Sequence, residues 1–116
     1  MVCRRTVKNS GKILNEINNI KNKKYISIVS AWEVAIKLGT KKLTLDGGLP
    51  EFFKIIDKNG FILLTIEKND LKSVPDLRLI HRDPFDRLLI STAIAKKFII
   101  ITADENIQKY DVSWIW

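Results

Sequence analysis

Apolar residues recur along the chain at two alternating spacings. Ile13, Leu14, Ile17 and Ile20 fall three to four residues apart behind Ser10, a capping type, and predict a helix over 11–21. The run over 25–29, rich in β-branched residues, predicts a strand. Ser30 then caps a helix over 31–38, with Gly39 at the stop, where a left-handed residue is wanted. Pro50 suits a first helical position. Phe52, Phe53, Ile55 and Ile56 give that helix a face to bury, and Asn59-Gly60 ends it before a strand over 61–66. A short helix over 67–74 is closed off by Pro75. Asp83-Pro84 repeats the start signal for a helix reaching about residue 97, with Leu88, Leu89, Ala93 and Ala95 as core candidates. Four apolar residues without alternation over 98–102 predict a strand covered on both faces. A short helix over 105–109 and a strand over 112–115 complete the order.

Alternating helices and strands imply crossover connections, and therefore an α/β fold with a mostly parallel sheet flanked by helices. No period of 20 to 50 residues recurs and no linker tract interrupts the chain, so residues 1–116 are expected to form a single domain. Sheets of this kind place ligands beyond the carboxyl ends of their strands. Candidate chemistry is therefore sought in the turns that follow 25–29 and 98–102 and at the helix start near 83.

Charge adds a partner class. The chain of 116 residues has 20 Lys and Arg against 13 Asp and Glu, a net charge of +7. Residues 1–24 hold Arg4, Arg5, Lys8, Lys12, Lys21, Lys23 and Lys24 against one acid, Glu16, so nearly all of the excess lies there. A basic surface beside a neutral body points to a polyanion such as nucleic acid, or to an acidic protein. The one cysteine, Cys3, excludes an intrachain disulfide and a multi-thiolate zinc site within one chain. No apolar run reaches the roughly 18–20 residues of a bilayer span, and residues 1–8 lack a signal-peptide core. No membrane association and a cytoplasmic location are the expectation.

Three acids sit at the expected rim. Glu33 follows the strand over 25–29, Asp86 lies in the first turn of the helix capped by Asp83, and Asp104 follows Thr102 by two residues. Each alone can serve a helix dipole, and for Asp83 capping is the preferred reading. Convergence would change that, because clustered carboxylates repel unless a cation sits among them. Hard oxygen ligands suit Mg²⁺ or Mn²⁺, and the lack of a Cys/His cluster argues against zinc. Arg82 and Arg87 flank the same turn and are candidates to hold phosphates. The lone histidine, His81, is read as structural. The chain has no Gly-x-Ser-x-Gly elbow, and Gly47-Gly48 lacks the Lys and helix start of a phosphate loop.

Three segments, Ser30-Ala31-Trp32-Glu33-Val34-Ala35-Ile36-Lys37, His81-Arg82-Asp83-Pro84-Phe85-Asp86-Arg87-Leu88-Leu89-Ile90 and Ile101-Thr102-Ala103-Asp104-Glu105, resemble those of PIN-domain proteins of the VapC toxin type. The resemblance runs over about 10–116 and leaves the basic residues 1–9 poorly matched. It implies a PIN-like fold and a Mg²⁺- or Mn²⁺-dependent ribonuclease, the toxin of a toxin–antitoxin pair. RNA would be the substrate and an antitoxin protein the partner, with the chain as a homodimer. Glu33, Asp86 and Asp104 match its acidic, metal-holding positions. Members usually open with an apolar strand ending in Asp, central in the sheet and first ligand of the metal. Here the matching region would lie before Met1, and residues 1–8 contain no acid. The N-terminal strand is thus expected to be missing, with reduced activity or an inactive, antitoxin- or RNA-binding remnant as its consequence. Each buried backbone group left unpaired would cost about 1–3 kcal/mol. Compensation is expected from the sheet closing up, from the basic N-terminal residues, or from a second chain.

Overall fold

The computed structural model describes Asn15 and residues 17–116. Most of the helix expected over 11–21 lies outside these residues; Asn15, Ile17 and Asn18 are helical. Strand β1 (Lys24–Ser27) leads directly into helix α1 (Ile28–Gly39). Helix α2 (Gly48–Lys58), strand β2 (Phe61–Leu64) and two 3-10 turns, Lys68–Leu71 and Val74–Asp76, follow. Helix α3 (Pro84–Lys96), strand β3 (Ile100–Ile101), helix α4 (Glu105–Gln108) and strand β4 (Trp114–Ile115) complete the order.

All strand pairing among the described residues is parallel, as an α/β fold with crossover helices requires. β1 pairs with β2, Lys24 opposite Phe61 and Ser27 opposite Leu64. β3 pairs with β4, Ile100 opposite Trp114. Among the described residues the two pairs do not join into the one sheet expected from sequence. Nor is the segment over 98–102 covered on both faces, since Ile99 is 57% exposed.

Helix α3 organises the core. The Asp83 carboxylate accepts the Phe85 N–H at 2.9 Å and Pro84 occupies the first turn, which is the start read from sequence. Lys97 ends the helix in the left-handed region, φ 57°. Ile90 and Ala93 pack with Ile100, Ile107 and Tyr110 into the main buried cluster, with Leu77, Ile80, Phe98 and Val112 closing its edges. Burial of a side chain the size of Ile90 stabilises by about 1.5–3 kcal/mol. On its other side α3 holds the turn Lys68–Leu71, where the Ser91 hydroxyl donates to the Asp70 carbonyl and Lys96 approaches the fully buried Asp70 carboxylate at 3.5 Å.

Three boundaries of α1 and α2 differ from the sequence reading: α2 starts at Gly48, two residues before Pro50, and the other two belong to α1. Ser27, not Ser30, caps α1, its hydroxyl accepting the Val29 N–H at 3.1 Å, so the helix begins three residues early and shortens the strand. The helix ends at Thr40, whose N–H and hydroxyl both reach the Ile36 carbonyl; the left-handed residue beyond it is Lys41, φ 61°, rather than Gly39. Asn59-Gly60 does end α2 as expected, with Gly60 in the left-handed region, φ 77°.

Candidate active site

The end of β3 and the start of α3 bring together side chains from three stretches of chain. Ligand atoms of His81, Asp86 and Asp104 all lie within 4.8 Å of one another. His81 Nε2 stands 2.9 Å from Asp86 Oδ2 and 3.1 Å from Asp104 Oδ2. Asp86 is in the first turn of α3, as expected, and is 1% exposed. Asp104 caps α4. Its Oδ1 accepts the N–H of Asn106 at 2.8 Å and of Ile107 at 3.4 Å, which leaves Oδ2 directed at the histidine. Capping and site formation are thus divided between its two oxygens.

The other side of the imidazole fixes its tautomer. His81 Nδ1 accepts the Asp83 N–H at 3.2 Å, so its lone pair is engaged and the ring proton belongs on Nε2. Nε2–H then donates into the space between two carboxylates. In this tautomer His81 offers a proton there rather than a lone pair. The carboxylate oxygens that converge there belong to Asp86 and Asp104, and hard, convergent carboxylate oxygens are the donor set that Mg²⁺ and Mn²⁺ take. Burial works against the Asp104 charge. The Asn106 N–H, the His81 ring and the Ile107 N–H outweigh it and hold the carboxyl below its ordinary value.

Tyr110 sets the position of His81. Its buried hydroxyl accepts the N–H groups of His81 at 2.8 Å and Ile80 at 3.1 Å and donates to the Arg78 carbonyl at 2.6 Å. Arg87 grips the same loop. One guanidinium nitrogen reaches the carbonyls of Arg78 at 3.0 Å and His81 at 3.2 Å, and the other those of Leu77 and Val74. Arg87 therefore ties residues 74–81 to α3, which differs from the phosphate-binding part read for it from sequence. Arg82 is exposed beside His81, where a phosphate can reach it.

Glu33 is not among the grouped residues. With Ser27 as cap it lies in the second turn of α1 instead of the first, with Lys37 3.6 Å away on the next turn. The edge-on contact of Trp32 with Phe85, 4.9 Å between ring centres, holds that stretch of α1 against the start of α3. The functional residues that sequence reasoning missed are His81 and Tyr110. The signal for His81 was its place two residues before the Asp83 cap, at the mouth of the acidic turn. For Tyr110, 29 residues from its partner, no local signal existed.

The sequence matches the PIN domain family over residues 5–113. No curated protein and no solved structure matches the chain.

Proposed function

The chain belongs to the PIN-domain family, and from that premise we propose that it is a Mg²⁺- or Mn²⁺-dependent endoribonuclease, the toxin of a type II toxin–antitoxin pair. PIN domains are nucleases that act on RNA or DNA, generally with a divalent metal. The observation that carries the reading is the convergence of Asp86 and Asp104 on one point. These two carboxylates would hold the ion, with Glu33 as a third acid supplied from α1. When bound, a divalent cation supplies a water of lowered pKa and neutralises charge developing on the phosphodiester.

The protein's own groups do the rest. The α4 backbone fixes Asp104 by its Oδ1, so its Oδ2 cannot swing away from the site. Burial of Asp86 keeps competing water from its carboxylate. His81 holds a proton between the acids and limits their repulsion while no cation is present. Arg82 meets the phosphates of RNA. A cognate antitoxin protein and a homodimeric state are part of the same proposal.

A second reading is a catalytically inactive PIN-like remnant that binds an antitoxin or RNA. Its support is the histidine itself, because Nε2–H already answers both carboxylates without a metal. Incubation of the full chain with structured RNA separates the two. Cleavage that needs Mg²⁺ or Mn²⁺, stops with chelator and is abolished by Asp86→Asn and Asp104→Asn supports the nuclease. RNA binding without cleavage under every metal condition supports the remnant.

A further inference from the structure

Helix α1 carries an aromatic ring that the metal chemistry leaves unused. Trp32 is 58% exposed, although tryptophan side chains normally lose most of their area to the core. Its ring meets that of Phe85, 4.9 Å between centres and 86° between planes. A perpendicular contact of this kind covers at most one face of an indole. It also fixes the tilt of the ring, because Phe85 is itself half-buried in the first turn of α3.

Its neighbours tie the ring to the acids. Trp32 immediately precedes Glu33, and Phe85 immediately precedes Asp86, so the aromatic pair joins α1 to α3 beside the buried carboxylate. Arg82, exposed, lies three residues before Phe85 on the same turn of chain. An exposed ring face next to a cation is what single-stranded RNA uses, its phosphates held by charge and its unpaired bases by stacking. The same helix also distinguishes a base from a protein segment as occupant. A protein would draw on the whole apolar stripe, which continues to Ile36, 41% exposed and one turn further along α1, whereas a base needs the ring alone.

We propose that Trp32 stacks an unpaired base of the RNA bound at Asp86 and Asp104, an inference that rests on the reading of those acids as an RNA site. Every base has a flat face, so the stack tolerates any sequence. What it selects is an unpaired strand, because a base held within a helix already has neighbours on both faces. Trp32 is thus a residue that favours single-stranded over double-stranded substrate, and Phe85 is the residue that positions it.

The test uses the full chain carrying Trp114→Phe/Trp116→Phe, which leaves Trp32 as its sole tryptophan. It is titrated in EDTA, where metal-dependent cleavage stops, with a single-stranded RNA oligonucleotide and with the same sequence paired in a duplex. The single strand should quench Trp32 emission and the duplex should not. Filter binding should show Trp32→Leu, which keeps an apolar side chain against Phe85, weakening single-strand binding about tenfold, with the salt dependence unchanged. Trp32→Phe should cost less, and Ile36→Ser nothing. Equal quenching by both RNAs, RNA binding without quenching, or undiminished binding by Trp32→Leu overturns the proposal. So does a loss in Ile36→Ser equal to that in Trp32→Leu, which marks the stripe as a protein-docking face. Trp32 emission already shielded from acrylamide in the free protein also overturns it, because this chain or a second copy then covers the ring. Metal-dependent cleavage with none of the Trp32 effects removes the stack and leaves the nuclease standing. Quenching by the single strand without cleavage under any metal supports the stack and removes the nuclease, and absence of RNA binding overturns both.

Discussion

The Nε2 atom of His81 lies 2.9 Å from the buried Oδ2 of Asp86, and the same nitrogen lies 3.1 Å from Asp104. One ring proton therefore answers two acids from different elements, and both contacts depend on the Asp83 N–H holding Nδ1 as an acceptor. Replacement of the ring exposes what it contributes. His81→Ala should destabilise the metal-free protein by about 1–3 kcal/mol, the usual cost of removing a hydrogen-bond partner from a buried group. Urea unfolding measures this, and millimolar Mn²⁺ should recover part of the loss in His81→Ala but not in His81→Ala/Asp86→Asn.

Tyr110→Phe keeps the ring in the core and deletes only the hydroxyl that joins Arg78, Ile80 and His81. A loss of about 1–2 kcal/mol is expected, with no cavity to add to it. If the hydroxyl positions the histidine, the His81 ring resonances in NMR shift in Tyr110→Phe. Unchanged resonances at lowered stability would give Tyr110 a purely structural part.

Asp104 gives a pH dependence of known sign. Its carboxyl is held below the ordinary value of 3.8, so the folded state favours the charged form. That contribution is complete above the ordinary value and is lost as pH falls through the lower folded one. Asn caps a helix about as well as Asp, so Asp104→Asn removes the titration and keeps the cap. Between pH 5 and about pH 3 the unmodified protein should lose more stability than Asp104→Asn. Parallel curves would contradict the electrostatic part given to this residue.

The two arginines of the acidic turn should separate. Arg82→Ala should weaken RNA binding and reduce its salt dependence by about one counterion, with the unfolding midpoint unchanged. Arg87→Ala removes the donors to four carbonyls of residues 74–81 and should lower the midpoint first. Filter binding at two salt concentrations with thermal unfolding of each variant distinguishes them.

How far these features were readable from sequence follows how local their causes are. The start of α3 depends on Asp83 and Pro84, adjacent residues with strong helix-start preferences, and it stands where the sequence put it. The cap of α1 was read at Ser30, whereas the structure uses Ser27, three residues earlier; both are serines, and local preference alone cannot rank them. Among the described residues β3 pairs with β4 alone, and no pattern within 98–102 reveals that partner or the length it allows. Asp86 and Asp104 were identified by their positions at element ends. The meeting of His81 with both is a tertiary event, set by Tyr110 and Arg87 from other parts of the chain.

The most direct measurement is calorimetric titration of the full chain with Mn²⁺, repeated on Asp86→Asn and Asp104→Asn, each shown to be folded by circular dichroism. One divalent site per chain is expected, weakened at least about tenfold by either substitution, a loss of 1.4 kcal/mol or more. Equal affinity in all three proteins, or binding in none, would contradict a metal centre built on Asp86 and Asp104.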